Sequence, residues 1–63
     1  STIASCILKL PAKYREVILL KYHHGYSLKE IAKILDISES NAIKLDQRGK
    51  KKLEQLCKEE GLL

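Results

Sequence analysis

The sequence has no apolar stretch that approaches the roughly 20 residues needed to cross a bilayer. Its first residues also lack the charged start, apolar core and small-residue cleavage site of a secretory signal. From these absences we expect a soluble, cytoplasmic protein that does not associate with membranes. The first residue is serine rather than methionine, so we expect the C-terminal fragment of a longer protein.

Cysteine is scarce as well. Cys6 and Cys57 are far apart in sequence, and neither has a second cysteine or a histidine at metal-ligand spacing. Because free cysteine is among the most buried residue types, we expect two small buried side chains, with a disulfide as the open alternative. His23 and His24 are neighbours on a predicted helix, so their side chains cannot converge on one ion. We therefore expect no metal site.

The features of an enzyme are missing too. The chain of 63 residues has little room for a catalytic cleft, because small domains bury a modest fraction of their surface. It contains no pairing of a nucleophile with a base, no metal cluster and no glycine-rich phosphate loop. We expect one domain over residues 1–63, which is not an enzyme and needs no cofactor.

Helical periodicity dominates what is present. A short helix capped by Thr2 is predicted to end before Pro11, because proline disfavours helical geometry in the residue before it. A second helix is predicted from about Pro11 to His23, ending at Gly25. The residues expected on the core-facing sides are Ile3, Ala4, Ile7 and Leu8 in the first helix, and Tyr14, Val17, Ile18, Leu20 and Tyr22 in the second.

A helix-turn-helix is predicted next. Ser27 and Glu30 have the spacing of a capping box, which starts a helix at Leu28. Small Ala32 would let a following helix approach closely, and Ser38 offers the N-cap of that helix near Glu39. The apolar face of the first motif helix is Leu28, Ile31, Ala32 and Leu35.

The final segment is predicted to be one long helix, since no proline interrupts it between Glu39 and Gly61. Its apolar points are Ala42, Leu45, Leu53, Leu56 and Cys57. Gly49 costs about 1 kcal/mol relative to alanine inside a helix, and we interpret it as a close-packing point rather than a weak joint. The predicted fold is an all-α bundle of about four helices, of the winged-helix-like DNA-binding class but without a wing.

Basic residues are concentrated in this last helix. Lysine and arginine total 12 against 8 acidic residues, a formal net charge of +4. A lysine run is usually a solvated face, but on the second helix of a helix-turn-helix it is suited to neutralising phosphates. The segment from Lys44 to Lys52 holds a single acid, Asp46, among Lys44, Arg48, Lys50, Lys51 and Lys52.

Six short motifs together resemble region 4 of bacterial RNA polymerase sigma factors, and the extracytoplasmic-function group is the most similar. The motifs are Leu10-Pro11, Arg15-Glu16-Val17, Gly25-Tyr26-Ser27, Glu30-Ile31-Ala32, Ile37-Ser38 and Lys51-Lys52-Leu53. The resemblance covers Leu10 to Leu56. It implies a four-helix domain whose second motif helix recognises the promoter element around minus 35 in double-stranded DNA. It also implies docking on the RNA polymerase core, at its flap, or on an anti-sigma factor.

Candidate DNA contacts follow from how such helices dock. The first two turns of the second motif helix enter the major groove, so the candidates for base contacts are Ser40, Asn41, Lys44 and Gln47. Amide side chains can pair with adenine, and a lysine can reach guanine or a phosphate. The candidates for phosphate contacts are Arg48, Lys51 and Lys52, together with Lys29 and Lys33 on the first motif helix.

Two adjacent residues depart from the family pattern. Leu45 stands where the family usually has a basic residue, and Asp46 where it usually has a core leucine. A buried Asp46 would need a partner, because burying an unpaired carboxylate is costly. A small rotation of the helix, burying Leu45 and exposing Asp46, is the alternative.

These departures leave two other functions open. One is a degenerate region 4 that keeps the fold and acts mainly through protein contacts. The other is the DNA-binding domain of a LuxR-type regulator, which shares the Arg-Glu-Val and Glu-Ile-Ala motifs. Leu10-Pro11 and the long basic helix favour the sigma factor.

Overall fold

Helices make up most of residues 2–63, which are the residues described by the computed structural model. The helices are α1 (Ile3–Lys9), α2 (Ala12–Ile18), α3 (Leu28–Leu35) and α4 (Glu39–Glu59), and a π-helical turn (Leu19–His23) continues α2. No β-strand occurs within residues 2–63. The predicted all-α fold of about four helices is confirmed.

The predicted helix starts are confirmed by their hydrogen bonds. The Glu30 amide donates to the Ser27 hydroxyl at 3.1 Å, and the Ser27 amide donates to the Glu30 carboxylate at 3.0 Å. Ser38 caps α4 by accepting from the Asn41 amide at 3.0 Å. Thr2 caps α1 in the same way. Each cap satisfies an amide that has no partner within its helix.

A left-handed residue makes the sharp turn between α3 and α4. Asp36 has φ 55° and ψ 49°, a conformation that aspartate tolerates better than most side chains. The Ile37 amide donates back to the Ala32 carbonyl at 2.9 Å and closes the turn. Ala32 is buried, as predicted, and α3 packs along α4. The predicted helix-turn-helix is therefore present.

The core-facing side predicted for α1 is wrong. The residues that α1 and its C-cap bury are Cys6 and Leu10, whereas Ile3 is 58 % exposed and Leu8 is 67 % exposed. Ala4 is exposed and Ile7 is half-buried. The helix has only two turns and packs against both α2 and α4, so tertiary contacts decide which side it buries.

The core-facing side predicted for the second helix is wrong at Tyr22, although the helical backbone continues to His23 and Leu20 is half-buried. Val17 and Ile18 are buried as expected, but Tyr22 is 55 % exposed. The π-helical turn, closed by a hydrogen bond from the His24 amide to the Leu19 carbonyl, has a wider repeat than an α-helix. Residues after Ile18 are therefore rotated away from the stripe that a regular helix would continue.

Gly49 marks the closest crossing of α2 and α4. A Cβ atom at Gly49 would lie 3.2 Å from Ile18 Cγ1 and 3.3 Å from Tyr14 Cβ, which is tighter than ordinary packing. The interpretation of this glycine as a close-packing point is confirmed. The crossing holds α4 with one side against the core and the other in solvent.

Candidate nucleic-acid interface

The outer side of α4 carries the predicted DNA contacts. The helix buries Ala42, Asp46, Gly49 and Cys57. At about 100° per residue, the seven candidates on α4 fall on the opposite side. All of them are exposed, namely Ser40, Asn41, Lys44, Gln47, Arg48, Lys51 and Lys52. Lys29 and Lys33 are exposed on α3. The structure thus leaves all nine predicted side chains open to solvent.

Four of the six basic residues outside this set are paired with carboxylates. Lys9 pairs with Glu60, Lys58 with Glu54 at 3.2 Å, and both Lys21 and Lys50 with Asp46. The Arg15 guanidinium donates to the Leu8 carbonyl at 3.1 Å. The positive charge of these five residues is thereby partly compensated within the protein.

By contrast, the six charged residues among the predicted DNA contacts form no ion pair within residues 2–63. They are Lys29, Lys33, Lys44, Arg48, Lys51 and Lys52. Lys13 and Arg15 are the remaining basic residues without a carboxylate partner there, and the Lys13 ammonium lies 5.1 Å from the centroid of the Tyr14 ring. The uncompensated positive charge is therefore concentrated around α3 and α4.

The neutral candidates lie at the start of α4. Ser40 and Asn41 belong to its first turn, just after the Ser38 cap. The Asn41 backbone amide is used by that cap, but its side chain makes no hydrogen bond to another described residue, and neither does that of Gln47. Both side-chain amides are thus available for a partner, that of Asn41 in the first turn of α4, where the helix dipole is positive, and that of Gln47 six residues further along.

Asp46 faces the core and has found partners there. It is 2 % exposed, and its Oδ2 atom accepts a hydrogen bond from Lys21 Nζ at 3.2 Å and forms an ion pair with Lys50 Nζ at 3.3 Å. Its Oδ1 atom has no partner among residues 2–63. The alternative of a rotated helix with Asp46 exposed is therefore wrong, and Leu45 remains half-buried.

The two lysines keep their charge in this arrangement. The hydrogen bond to Asp46 raises the pKa of Lys21 above its ordinary value. For Lys50, a hydrogen bond with Tyr22 contributes most to the raised pKa, followed by the one with Asp46. The cluster is a carboxylate held between two ammonium groups, so the negative charge of Asp46 is compensated inside the fold and the cluster keeps one net positive charge.

Comparison with known proteins identifies the domain. The family model described as "Sigma-70, region 4" matches residues 2–53. The chain belongs to the sigma-70 region 4 family. It is 48 % identical over 54 residues to the RNA polymerase sigma factor SigZ of Bacillus subtilis (strain 168), covering 86 % of this chain and 31 % of that protein. It is 47 % identical over 53 residues to the ECF RNA polymerase sigma factor SigW of the same organism, covering 84 % and 28 %.

This region 4 domain spans about a third of the length of the curated relatives it matches. The resemblance to region 4 of extracytoplasmic-function sigma factors is confirmed. The match to this family, rather than to LuxR-type regulators, agrees with the weight given to Leu10-Pro11 and the long basic helix.

Two grooves flank the region 4 helices, and sequence reasoning missed both. The basic groove, a shallow depression of about 220 Å³ between α2 and α4, is lined by Tyr14, Arg48, Lys51, Lys52 and Gln55. The apolar groove, of about 410 Å³, runs between α1 and the end of α2 and includes Ala4, Ile7, Leu8, Ile18 and Leu19. The sequence signal for the basic groove was Gly49, which brings Tyr14 against α4. The sequence signal for the apolar groove was the set of apolar residues at helical spacing in α1.

No group of three histidine, cysteine or acidic side chains within residues 2–63 is placed to hold a metal ion. Cys6 and Cys57 are both buried and free, as expected from their type. Burial raises the pKa of the Cys57 thiol, and the neighbouring Cys6 thiol adds to that effect. No helix among residues 2–63 is long and apolar enough to span a bilayer.

Proposed function

We propose that this domain, acting as part of a sigma factor, recognises the minus-35 element of a promoter. It does so by placing the start of α4 in the major groove. The observation that carries the proposal is the distribution of charge. The six predicted DNA-contacting cations form no ion pair within residues 2–63, whereas four of the other six basic residues are paired with carboxylates. Membership of the sigma-70 region 4 family supports the same role.

The order of side chains along α4 supports a division of labour. Ser40, Asn41, Lys44 and Gln47 occupy the first turns, where a docked helix reaches base edges. Arg48, Lys51 and Lys52 follow on the same side, where the helix moves towards the backbone. Lys29 and Lys33 hold the opposite backbone from α3. The base contacts then select the sequence, and the phosphate contacts fix the position of the helix on the duplex.

The test is selection from a random duplex pool followed by sequencing of the bound fraction. The wild-type chain should select a defined motif, which Lys44→Ala relaxes at one position. Arg48→Ala should keep the motif, weaken binding to all sequences, and reduce the slope of log affinity against log salt by about one. If no motif emerges and the two variants behave alike, the domain does not read sequence and the promoter-recognition proposal fails.

The apolar groove favours a second role, docking on the RNA polymerase core. Leu8 is 67 % exposed beside half-buried Ile7 and Leu19, and such apolar surface is typical of protein interfaces. We expect Leu8→Asp to weaken binding to polymerase core at least tenfold while leaving DNA binding unchanged. Ile34→Asp, at a 51 % exposed residue of α3 outside the groove, is the matched control. Equal polymerase binding by both variants would count against docking there.

A further inference from the structure

The close crossing at Gly49 determines where Tyr14 lies. Because Gly49 has no Cβ, the Tyr14 Cβ sits only 3.3 Å from the position that such an atom would occupy. α2 is therefore packed directly beside the backbone of the DNA-facing helix. Tyr14 is half-buried and forms one wall of the basic groove, opposite side chains of the outer face of α4.

The basic groove combines unpaired cations with unused neutral donors. Its lining contains Arg48, Lys51 and Lys52 and no carboxylate. The Tyr14 hydroxyl and the Gln55 amide make no hydrogen bond to another residue of the described chain, 2–63. A concave surface with cationic and neutral N–H and O–H donors suits a phosphodiester, whose two free oxygens accept several hydrogen bonds.

Lys13 adds a cation from α2. Its ammonium lies 5.1 Å from the centroid of the Tyr14 ring, a cation–π distance that keeps it close to the groove. Lys13 and Arg15, both in α2, are the two basic residues that neither pair with a carboxylate in residues 2–63 nor belong to the predicted DNA-binding set, and the Arg15 guanidinium is held by the Leu8 carbonyl. The uncompensated charge of the protein therefore extends from α4 on to α2.

We propose that the basic groove binds a segment of the DNA backbone, with Tyr14 and Gln55 as neutral hydrogen-bond donors and Lys13 as an additional cation that neutralises a phosphate of its own. This site rests on the proposed DNA-binding function and extends it, because α2 then contributes to the contact surface alongside α3 and α4. Tyr14 and Lys13 gain a role in binding that helix periodicity alone does not assign to them.

The test compares conservative variants in titrations with a duplex of fixed sequence at several salt concentrations. Tyr14→Phe keeps the ring and its packing, and should weaken binding roughly three- to tenfold, as expected for one lost hydrogen bond. Its salt slope should be unchanged, because no charge is removed. Tyr26→Phe, at a 40 % exposed tyrosine outside the groove, is the matched control and should bind as the wild type does.

Lysine variants supply an independent readout. Lys13→Ala should reduce the salt slope by about 0.9, the value for one phosphate contact, whereas Lys58→Ala should leave it unchanged. If Tyr14→Phe binds as tightly as Tyr26→Phe, and Lys13→Ala as Lys58→Ala, the groove holds no phosphate although DNA binding itself stands. If the wild-type chain fails to bind duplex DNA at every salt concentration, the DNA-binding proposal falls together with this one.

Discussion

Lys21 donates a hydrogen bond of 3.2 Å to the buried carboxylate of Asp46, and this contact joins the π-helical turn to the inner side of α4. The family usually has a core leucine at this position, so a polar link replaces an apolar one. The link fixes the rotation of α4, because Asp46 can stay buried only where Lys21 reaches it. The exposed side of the helix is positioned by the same constraint.

Removing Lys21 should lower the free energy of unfolding more than replacing Asp46. Lys21→Ala leaves Asp46 buried with Lys50 as its remaining described partner, and should lower the free energy of unfolding by about 1–3 kcal/mol. Asp46→Leu also removes the unpaired Oδ1 atom, and should be neutral or stabilising, since apolar replacements of buried ion pairs often are. Urea denaturation followed by circular dichroism measures both. Asp46→Leu being the less stable variant would contradict this account.

Acid should weaken the start of α3. The hydrogen bond from the Ser27 amide, followed by that from its hydroxyl, holds the pKa of Glu30 below its ordinary value of 4.5. A carboxyl group whose pKa is lowered by folding stabilises the fold above its unfolded pKa, and this contribution is lost as pH falls through the folded value. We therefore expect the wild type to lose stability below about pH 4.5 more steeply than Glu30→Gln, measured by thermal unfolding at a series of pH values. Parallel pH profiles would contradict the role of the capping box.

Alanine at Gly49 should be destabilising despite its higher helix propensity. The gain of about 1 kcal/mol in propensity is opposed by overpacking against Ile18 and Tyr14, which typically costs 1–3 kcal/mol. We expect a net loss of about 1 kcal/mol in the free energy of unfolding. The Ile18 Cδ1 atom lies 3.3 Å from the new Cβ, so the double variant with Ile18→Val should be less destabilised than the sum of the two single changes. Strict additivity would show that the crossing is not tight.

Local signals in the sequence account for the parts of the fold that were predicted. The Ser27 and Glu30 capping box, the Ser38 cap and the small Ala32 each act within a few residues, and together they define the helix-turn-helix. The prediction that Gly49 is a close-packing point needed one further argument, namely that a glycine inside a helix is costly and usually reflects close packing against another helix. The exposed candidates on α4 followed from the helix period.

The failures have two causes, a local change of helix type and contacts between residues far apart in the sequence. Tyr22 was misplaced because a π-helical turn changes the repeat without an obvious sequence signature. The buried side of α1 depends on how two other helices meet it, as the exposure of Leu8 demonstrates. The pairing of Lys21 with Asp46 spans 25 positions, so periodicity in either segment alone does not reveal it.

We expect DNA binding to depend on where positive charge lies on the domain, not on how much there is. Two double variants with the same loss of charge test it: Lys51→Ala with Lys52→Ala on the outer side of α4, and Lys9→Ala with Lys58→Ala, whose lysines are already paired with carboxylates. Both are titrated with the same duplex over a range of salt concentrations, after circular dichroism has verified folding. We expect the first variant to lower the salt slope by about two and the second variant to leave it nearly unchanged. Equal losses of affinity and slope in both variants would contradict it.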